Sequence, residues 1–347
     1  MDLPILVVGQ GIAGSVLALA FTEYEIPFLA VEQHGISRSS SVAAGLFNPV
    51  VFKRLTEGWR AFEAVERAKA FYQNAEQITQ ASFLNVDGIL RVHGSDDERR
   101  MWSAKRENHT WSKILGESSR DNGIMSGLHA PFGTAHIHEA GFIHPQKFLD
   151  TVKSFLSLKQ QLYSRTFEHN DLRFSQEAIA WNGMQFYAVV FCEGVAIQHN
   201  PYFAAEILKP AKGEVLIIEA PDLPQRVFNG KVYGVPIGNA RFRIGATYEW
   251  DAPNAEPTQT KYDELYDQLC NLIKVPFRVI GHEAGIRPSS PNRRPFFINS
   301  AREKRVFAFN GLGTKGVLLA PMLALEIASY FRDGSMPNPE FTLQTFG

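Results

Sequence analysis

Cysteine is scarce in this sequence, and neither sign of charge dominates. Cys192 and Cys270 are the two cysteines among 347 residues, too few for the disulfide framework of a small secreted protein. The 35 Lys and Arg residues nearly balance the 36 Asp and Glu residues, which leaves a net charge of -1. Such a balance gives no overall field that attracts nucleic acid or an anionic membrane. We therefore expect a small-molecule substrate and neither nucleic acid nor membrane as partner. Composition leaves the oligomeric state open.

Long apolar runs and a basic leader are also missing. The most apolar stretch near the C-terminus, residues 317–331, is too short to span a bilayer and contains Glu326. Acidic Asp2 stands where a signal peptide carries basic residues, and glycines interrupt the first apolar run. With 45% hydrophobic and 20% charged residues, the chain has the composition of a globular protein with about two domains. These features predict a cytoplasmic location.

A glycine loop follows the first apolar run, residues 5–8, which has the pattern of a buried parallel strand. The loop is a GxGxxG motif, and an apolar helical pattern follows it. Gly9 suits the tight turn, Gly11 allows a pyrophosphate to approach the backbone, and Gly14 lets the helix pack close to the strand. A second strand pattern, residues 27–31, ends in Glu32, whose carboxylate can accept hydrogen bonds from ribose hydroxyls. The stretch predicts a dinucleotide site.

A second glycine loop stands near the end of the chain. The strand pattern of residues 306–310 leads into Gly311-Leu312-Gly313-Thr314-Lys315-Gly316, and the apolar helical pattern of residues 317–331 begins there. Between the two loops, residues 187–194 form another apolar run that ends in Gly194 and predicts a return to the central sheet. Two helix N-termini at opposite ends of one chain suit a cofactor with two polar ends. FAD fits that description better than NAD.

Four histidines, His129, His136, His138 and His144, lie close together in the sequence. His136 and His138 alternate, so a strand would place both on one face. Imidazole is a common zinc ligand, but Glu139 is the one nearby carboxylate and no cysteine completes a ligand set. We predict no metal site and interpret the four as ordinary strand or pocket histidines.

Several motifs, in order along the chain, carry a resemblance to a known family. They are VVGQGIAG, SSSVAAGLFNPV, VYGVP, GIRP and FNGLGTKGVLLAP. The chain resembles the FAD-dependent D-amino acid oxidase superfamily, which includes glycine oxidase and sarcosine oxidase. The resemblance implies an α/β (α+β) fold, a Rossmann-like FAD-binding domain with an inserted antiparallel-sheet substrate domain. The expected FAD-binding domain is discontinuous, over residues 1–80, 140–205 and 285–347, and the substrate domain takes residues 81–139 and 206–284.

The resemblance also implies roles for particular residues. Arg287 matches the arginine that grips a substrate carboxylate, Tyr233 the tyrosine that assists it, and Lys315 lies in the loop at the flavin C2=O and N1 edge. These three are the expected catalytic residues. No cysteine lies near Arg287, so we expect FAD to be bound non-covalently. The expected cofactor-binding residues are Gly9, Gly11, Ile12, Ala13, Gly14, Glu32, Gln33, Ser41, Ala43, Ala44, Gly45, Gly194, Gly311, Gly313, Thr314, Lys315 and Gly316.

These features lead to one function and two alternatives. The leading hypothesis is an FAD-dependent oxidoreductase that oxidises a C–N bond of an amino acid or small amine, with hydride transfer to the flavin N5. One alternative is an FAD-dependent dehydrogenase whose electron acceptor is not oxygen. The other is an FAD-binding protein with no turnover of its own.

Overall fold

The fold is built on the short first strand, which is buried at all four positions. The computed structural model describes residues 3–32, 39–120, 126–250 and 254–342. In these residues the strands are β1 (Ile5–Val8), β2 (Phe28–Glu32), β3 (Leu46–Phe47), β4 (Val50–Val51), β5 (Thr56–Glu57), β6 (Leu84–Asn85), β7 (Ile89–Val92), β8 (Leu115–Ser119), β9 (Thr134–Ile137), β10 (Gly141–Ile143), β11 (Leu162–Ser164), β12 (Arg173–Phe174), β13 (Ile179–Trp181), β14 (Met184–Phe186), β15 (Ala188–Phe191), β16 (Ala211–Glu219), β17 (Phe228–Asn229), β18 (Tyr233–Gly238), β19 (Arg241–Gly245), β20 (Arg278–Arg287), β21 (Phe296–Asn299) and β22 (Val306–Asn310).

The helices join and cover these strands. They are α1 (Ile12–Glu23), α2 (Ser39–Val42), α3 (Ala61–Thr79), α4 (Asp96–Arg106), α5 (His109–Ile114), α6 (Pro145–Leu158), α7 (Gln259–Cys270), α8 (Gly316–Asp333) and α9 (Pro339–Thr342). None of the helices in the described residues is both long and apolar enough to cross a membrane.

The central sheet has six strands in the order β11-β2-β1-β15-β22-β21, parallel except for the last strand, β21. Buried side chains of α1 and α8 share one core cluster with the inner faces of β1 and β15. The strands predicted at 5–8, 27–31 and 306–310 and the helix predicted over 317–331 are confirmed. Because the strands are parallel, the loops after β1, β2, β15 and β22 meet at one edge of the sheet.

A second sheet has eight strands in the order β20-β16-β19-β18-β17-β7-β9-β8 and is antiparallel except for the β17–β7 pair. Together the two sheets form the mixed α/β fold expected above. The residue boundaries given for the two domains stay a prediction.

The two sheets meet through a short segment and one bridge. Helix α2 lies against β20, where a Cβ added to Gly285 would stand 3.3 Å from the Cα of Ser39. Just beyond β20, Ser289 forms a backbone bridge to Leu312 in the second glycine loop. The carboxyl edge of the parallel sheet therefore faces the β16–β20 end of the antiparallel sheet.

Candidate active site

The first glycine loop has the close packing that its sequence predicts. A Cβ at Gly9, whose φ is +99°, would lie 2.5 Å from the carbonyl oxygen of Cys192, and a Cβ at Gly14 would lie 1.8 Å from that of Gly9. No larger side chain fits either position. Helix α1 begins at Ile12, and the backbone N–H of Ile12 donates to Ser40 Oγ at 3.2 Å. A hydroxyl oxygen therefore already accepts a bond from the N-terminus of α1, where an anion is stabilised.

Glu32 ends β2 at the same edge and is buried. Its Oε2 lies 2.6 Å from Nζ of Lys153 on α6. Sequence reasoning missed Lys153, because nothing in the chain pattern indicates which face of α6 meets β2. Its ammonium group forms an ion pair with the carboxylate, whose oxygens are acceptors of the kind that ribose hydroxyls donate to. Gln33 lies outside the described residues.

The second glycine loop leads from β22 into α8. Gly311 and Gly313 have φ of +74° and +53°, the left-handed region that glycine favours. The Gly313 N–H donates to Pro288 O at 3.1 Å, which ties the loop to the end of β20. Thr314 is exposed and Gly316 is partly buried.

Lys315 in this loop carries a buried ammonium group. Its Nζ has no hydrogen-bond partner in the described part of the chain, and a Cβ at Gly58 would lie 2.4 Å from it. Burial lowers the pKa of Lys315, and the carboxylate of Glu57 opposes that shift. A desolvated cation without a partner is stabilised by an anionic or electron-rich group.

The remaining expected cofactor residues lie around the same edge. Ala13 is in the first turn of α1 and Ser41 in α2, followed by Ala43, Ala44 and Gly45. A Cβ at Gly45 would lie 2.0 Å from Ile143 O. Gly194, with φ of +57°, has no atom within 4 Å of an added Cβ, and its carbonyl accepts a bond from Asn310 Nδ2 at 2.8 Å.

This arrangement fits FAD. The edge offers a glycine cradle at one helix N-terminus, a buried carboxylate at the end of β2 and open space at Gly194. At a second helix N-terminus it offers a buried ammonium that has no hydrogen-bond partner among the described residues. Gly9, Gly11 and Gly14 would hold the pyrophosphate and Glu32 the ribose. Residues 41–45 and the loop 311–316 would line the flavin.

Arg287 lies at the end of β20 with its guanidinium over β16. Nη1 donates to Lys212 O and Nη2 to Thr247 O, both at 3.1 Å. A Cβ at Gly213 would lie 1.9 Å from Nη2, so only glycine leaves room for the guanidinium there. Burial lowers the pKa of Arg287, and the nearby Tyr233 and Tyr248 side chains act in the opposite direction. The guanidinium stays charged all the same, because its ordinary pKa is far above neutral pH. No carboxylate within the described ranges pairs with it.

Tyr233 on β18 and Arg287 belong to one cluster of side chains on the face of the antiparallel sheet. Tyr233 pairs with Gly245 across the strands, and a Cβ at Gly245 would lie 2.9 Å from the Tyr233 hydroxyl oxygen. Burial raises the pKa of Tyr233 to about 12, although the Arg287 and Arg243 guanidinium groups act in the opposite direction. The phenol is therefore protonated near neutral pH and can donate a hydrogen bond.

Arg243 is the residue at this cluster that sequence reasoning missed. Its Nη1 donates to Ala43 O at 2.8 Å and its Nη2 contacts Glu283 Oε2 at 3.2 Å. The alternation of RFRIG places Arg243 on the face of Gly245, which was a usable signal. Without the strand order, however, that face could not be assigned to the site.

The histidines do not form a cation site in the part of the chain that is described. His136 and His138 share a face as predicted, with Nδ1 atoms 3.1 Å apart, and His136 Nε2 contacts Asp87 O. His144 precedes α6, and burial and the Lys147 charge lower its pKa. Over the described residues, no three His, Cys, Asp or Glu side chains are arranged to hold a metal ion.

Comparison with known proteins identifies the family. The family model of DAO-type FAD-dependent oxidoreductases matches residues 4–330. The tRNA 5-methylaminomethyl-2-thiouridine biosynthesis bifunctional protein MnmC of Marinobacter nauticus is 24% identical over 94% of this chain, which spans 55% of that relative's length. The thiamine biosynthesis oxidoreductase ThiO of Rhizobium etli is 24% identical over 93% of this chain and 95% of its own.

The structural comparison agrees with the family model. The crystal structure of glycine oxidase from Geobacillus kaustophilus superposes with a TM-score of 0.81 at 18% identity, covering 99% of both chains. At that identity the likeness concerns the fold. The chain also spans about half of the length of the MnmC relative. The match over residues 4–330 decides the family: the chain belongs to the DAO family of FAD-dependent oxidoreductases, and is an enzyme whose cofactor is FAD.

Proposed function

We propose that this enzyme oxidises the C–N bond of an amino acid or small amine that carries a carboxylate. One observation supports the proposal most: Arg287 is a desolvated cation, held over Gly213 by two backbone carbonyls, with no carboxylate of the described residues beside it. Its free N–H donors match the geometry of a carboxylate. A substrate carboxylate would supply the missing negative charge.

Three groups of this chain would prepare the substrate for reaction. Arg287 binds the carboxylate, and the protonated Tyr233 hydroxyl donates a further bond that orients it. Gly213 and Gly245 leave room on the sheet surface for the Arg287 guanidinium and the Tyr233 ring, so both groups can lie flat against the backbone and face the substrate. Bound FAD supplies the acceptor for the two electrons and the hydrogen removed from the C–N unit.

Lys315 is proposed to act on the cofactor rather than on the substrate. Its ammonium and the N-terminus of α8 place positive charge at one end of the site. Both stabilise negative charge at the cofactor edge that would lie there. That stabilisation makes the bound flavin easier to reduce.

Anaerobic reduction tests the proposed function. Purified FAD-loaded protein is mixed with a panel of primary and secondary amines, with and without a carboxylate, and the flavin absorbance is followed. We expect bleaching by carboxylate-bearing amines and none by the matched amines without a carboxylate. Admission of air then separates an oxidase, which recovers its absorbance quickly, from a dehydrogenase, which does not. Failure of all carboxylate-bearing amines to bleach the flavin would contradict the proposal.

A second candidate function is favoured by a group of aromatic and basic side chains other than Arg287. Tyr248 is 43% exposed, its ring lies 4.9 Å from that of Trp250, and Lys209 and Arg293 each stand 5.3 Å from the Trp250 ring. Aromatic rings stack on bases, and cations beside them bind phosphates. We propose as the alternative that the amine is carried on RNA, as the name of the MnmC relatives suggests for those proteins.

RNA binding distinguishes the two candidates. On the alternative, FAD-loaded protein binds tRNA with an affinity that falls as salt is raised, and Trp250→Ala together with Arg293→Ala weakens that binding. Trp59 is partly buried and lies outside this cluster, and Trp59→Ala serves as the control for loss of a tryptophan elsewhere. Binding that is absent, or equal in all variants, leaves the small-molecule substrate.

A further inference from the structure

Arg243 stands on the same face of the antiparallel sheet as Tyr233. It lies on β19 two residues before Gly245, which pairs with Tyr233, and is itself paired with Val235 and Ile217. Its side chain is 13% exposed. Since alternate strand residues share a face, Arg243 and Tyr233 project from the sheet toward the same side.

The guanidinium of Arg243 is only partly satisfied. Two of its nitrogens contact Ala43 O and Glu283 Oε2. The third, Nε, is buried and has no hydrogen-bond partner among the residues that the structure describes. A buried donor without an acceptor is costly, so this atom favours a ligand with an acceptor oxygen.

The cluster also has more positive than negative charge. The positive charges of Arg243 and Arg287, which lie on the same face of the sheet, both lower the pKa of the Tyr233 phenol. Glu283 is the one carboxylate that contacts either guanidinium in the described ranges. The Glu283 side chain is 43% exposed, so water screens part of its charge. A ligand with one carboxylate, bound at Arg287, therefore leaves Arg243 paired only with the partly exposed Glu283 among the described carboxylates.

There is space beside Arg243 for a further group. A cavity of about 1070 Å³ lies between α6, the end of α3 and the β18–β19 hairpin, and Arg243 forms part of its wall. His144 and Lys147 also line it, with Asp150 as the acidic side chain. An anionic group in this cavity therefore meets the Arg243 side chain, whose Nε is covered by the surrounding residues in the free protein.

We propose that Arg243 forms a second anion subsite next to Arg287, and that the substrate is an amine with two carboxylates. The inference rests on the proposed function, because Arg287 takes the first carboxylate. The second carboxylate accepts the bond from Arg243 Nε and competes with Glu283, which occupies part of the guanidinium in the free protein. Tyr233 lies on the same face of the sheet as both arginines.

Two ligands of equal chain length test the subsite. Succinate and butyrate, which carry two and one carboxylates, are titrated into FAD-loaded protein, and binding is followed by the flavin spectrum and by calorimetry. We expect succinate to bind at least about 10-fold more tightly than butyrate, as a buried charge-assisted contact provides. Arg243→Leu should abolish this preference while butyrate still binds. Arg241→Leu, which removes a charge from an exposed position of the same strand, should keep it.

Glu283→Gln separates a ligand subsite from a structural ion pair. Removal of the competing carboxylate should tighten succinate binding several-fold and leave butyrate nearly unchanged. If the Arg243–Glu283 pair is only structural, Glu283→Gln should not tighten succinate binding. Both ligands should then bind with the wild-type affinity or more weakly. Equal affinities for succinate and butyrate in the wild type, or loss of succinate binding in Glu283→Gln, overturn the second subsite alone. If neither ligand binds, the proposed function fails with it.

Discussion

At the residue scale, Arg287 is the group whose removal tests the substrate site most directly. Arg287→Ala should weaken binding of acetate or benzoate by about 2–5 kcal/mol, roughly 30- to 5000-fold, because a buried charged contact is lost. Arg287→Lys should restore only part of it, since an ammonium lacks the two-branched donor geometry. Spectral titration of the FAD-loaded variants measures the effect, with the FAD content as the control. An unchanged response in the Ala variant would contradict the role of Arg287.

Tyr233 gives a prediction about pH. With a pKa of about 12 in the folded protein, its phenol stays protonated across the range in which most proteins are stable. Tyr233→Phe then removes one donated bond, worth about 0.5–1.5 kcal/mol, and the loss in acetate affinity should be the same at pH 7 and pH 9. A loss that disappears toward pH 9 would mean that the phenol ionises there, and would contradict its role as donor.

Lys315 is expected to set the potential of the bound flavin. Lys315→Met replaces the buried ammonium by an apolar side chain of similar length. Negative charge at the reduced cofactor is then less stabilised, so the midpoint potential should fall. Spectroelectrochemistry measures it, and Lys304→Met, a change of a lysine outside the second glycine loop, is the control. Equal potentials in the wild type and Lys315→Met would place this ammonium away from the flavin.

At the element scale, β16 accommodates the Arg287 guanidinium because Gly213 has no side chain. Gly213 has no positive φ, so alanine is allowed there by the backbone, but the new Cβ would lie 1.9 Å from Arg287 Nη2. Gly213→Ala should therefore displace the guanidinium and weaken acetate binding about 10-fold or more, with the FAD content unchanged. Gly281→Ala on β20, where the nearest atom is 3.3 Å away, is the matched control. Equal acetate affinities in the two variants would contradict the placement of Arg287.

At the scale of the whole molecule, FAD should link the two ends of the chain. The N-terminal loop and the loop before α8 lie at one sheet edge, so a ligand that binds both should stabilise the folded state. We expect about 2.7 kcal/mol of stabilisation at FAD concentrations of 100 times Kd, seen as a higher unfolding midpoint in calorimetry. Gly14→Ala should lose it, because its Cβ would lie 1.8 Å from Gly9 O.

The flavin should also leave the protein on acid precipitation, as expected for a non-covalent cofactor. Cys192 is buried behind the first glycine loop, where its carbonyl lies against Gly9, and Cys270 is exposed at the end of α7. Absorbance of the supernatant after precipitation measures the release. Flavin that stays in the pellet would contradict non-covalent binding.

The sequence by itself determined the family, the cofactor and the strand–loop–helix units at both ends of the chain. The reason is local: a glycine loop needs positive φ and close backbone approach within a few consecutive residues, and an apolar run beside it predicts the buried strand. Tertiary structure alone decided that Lys153 meets Glu32, that Gly213 accommodates Arg287, and that Arg243 reaches Ala43 across 200 residues of chain. These contacts depend on strand order and register, which bring together residues that no local pattern relates.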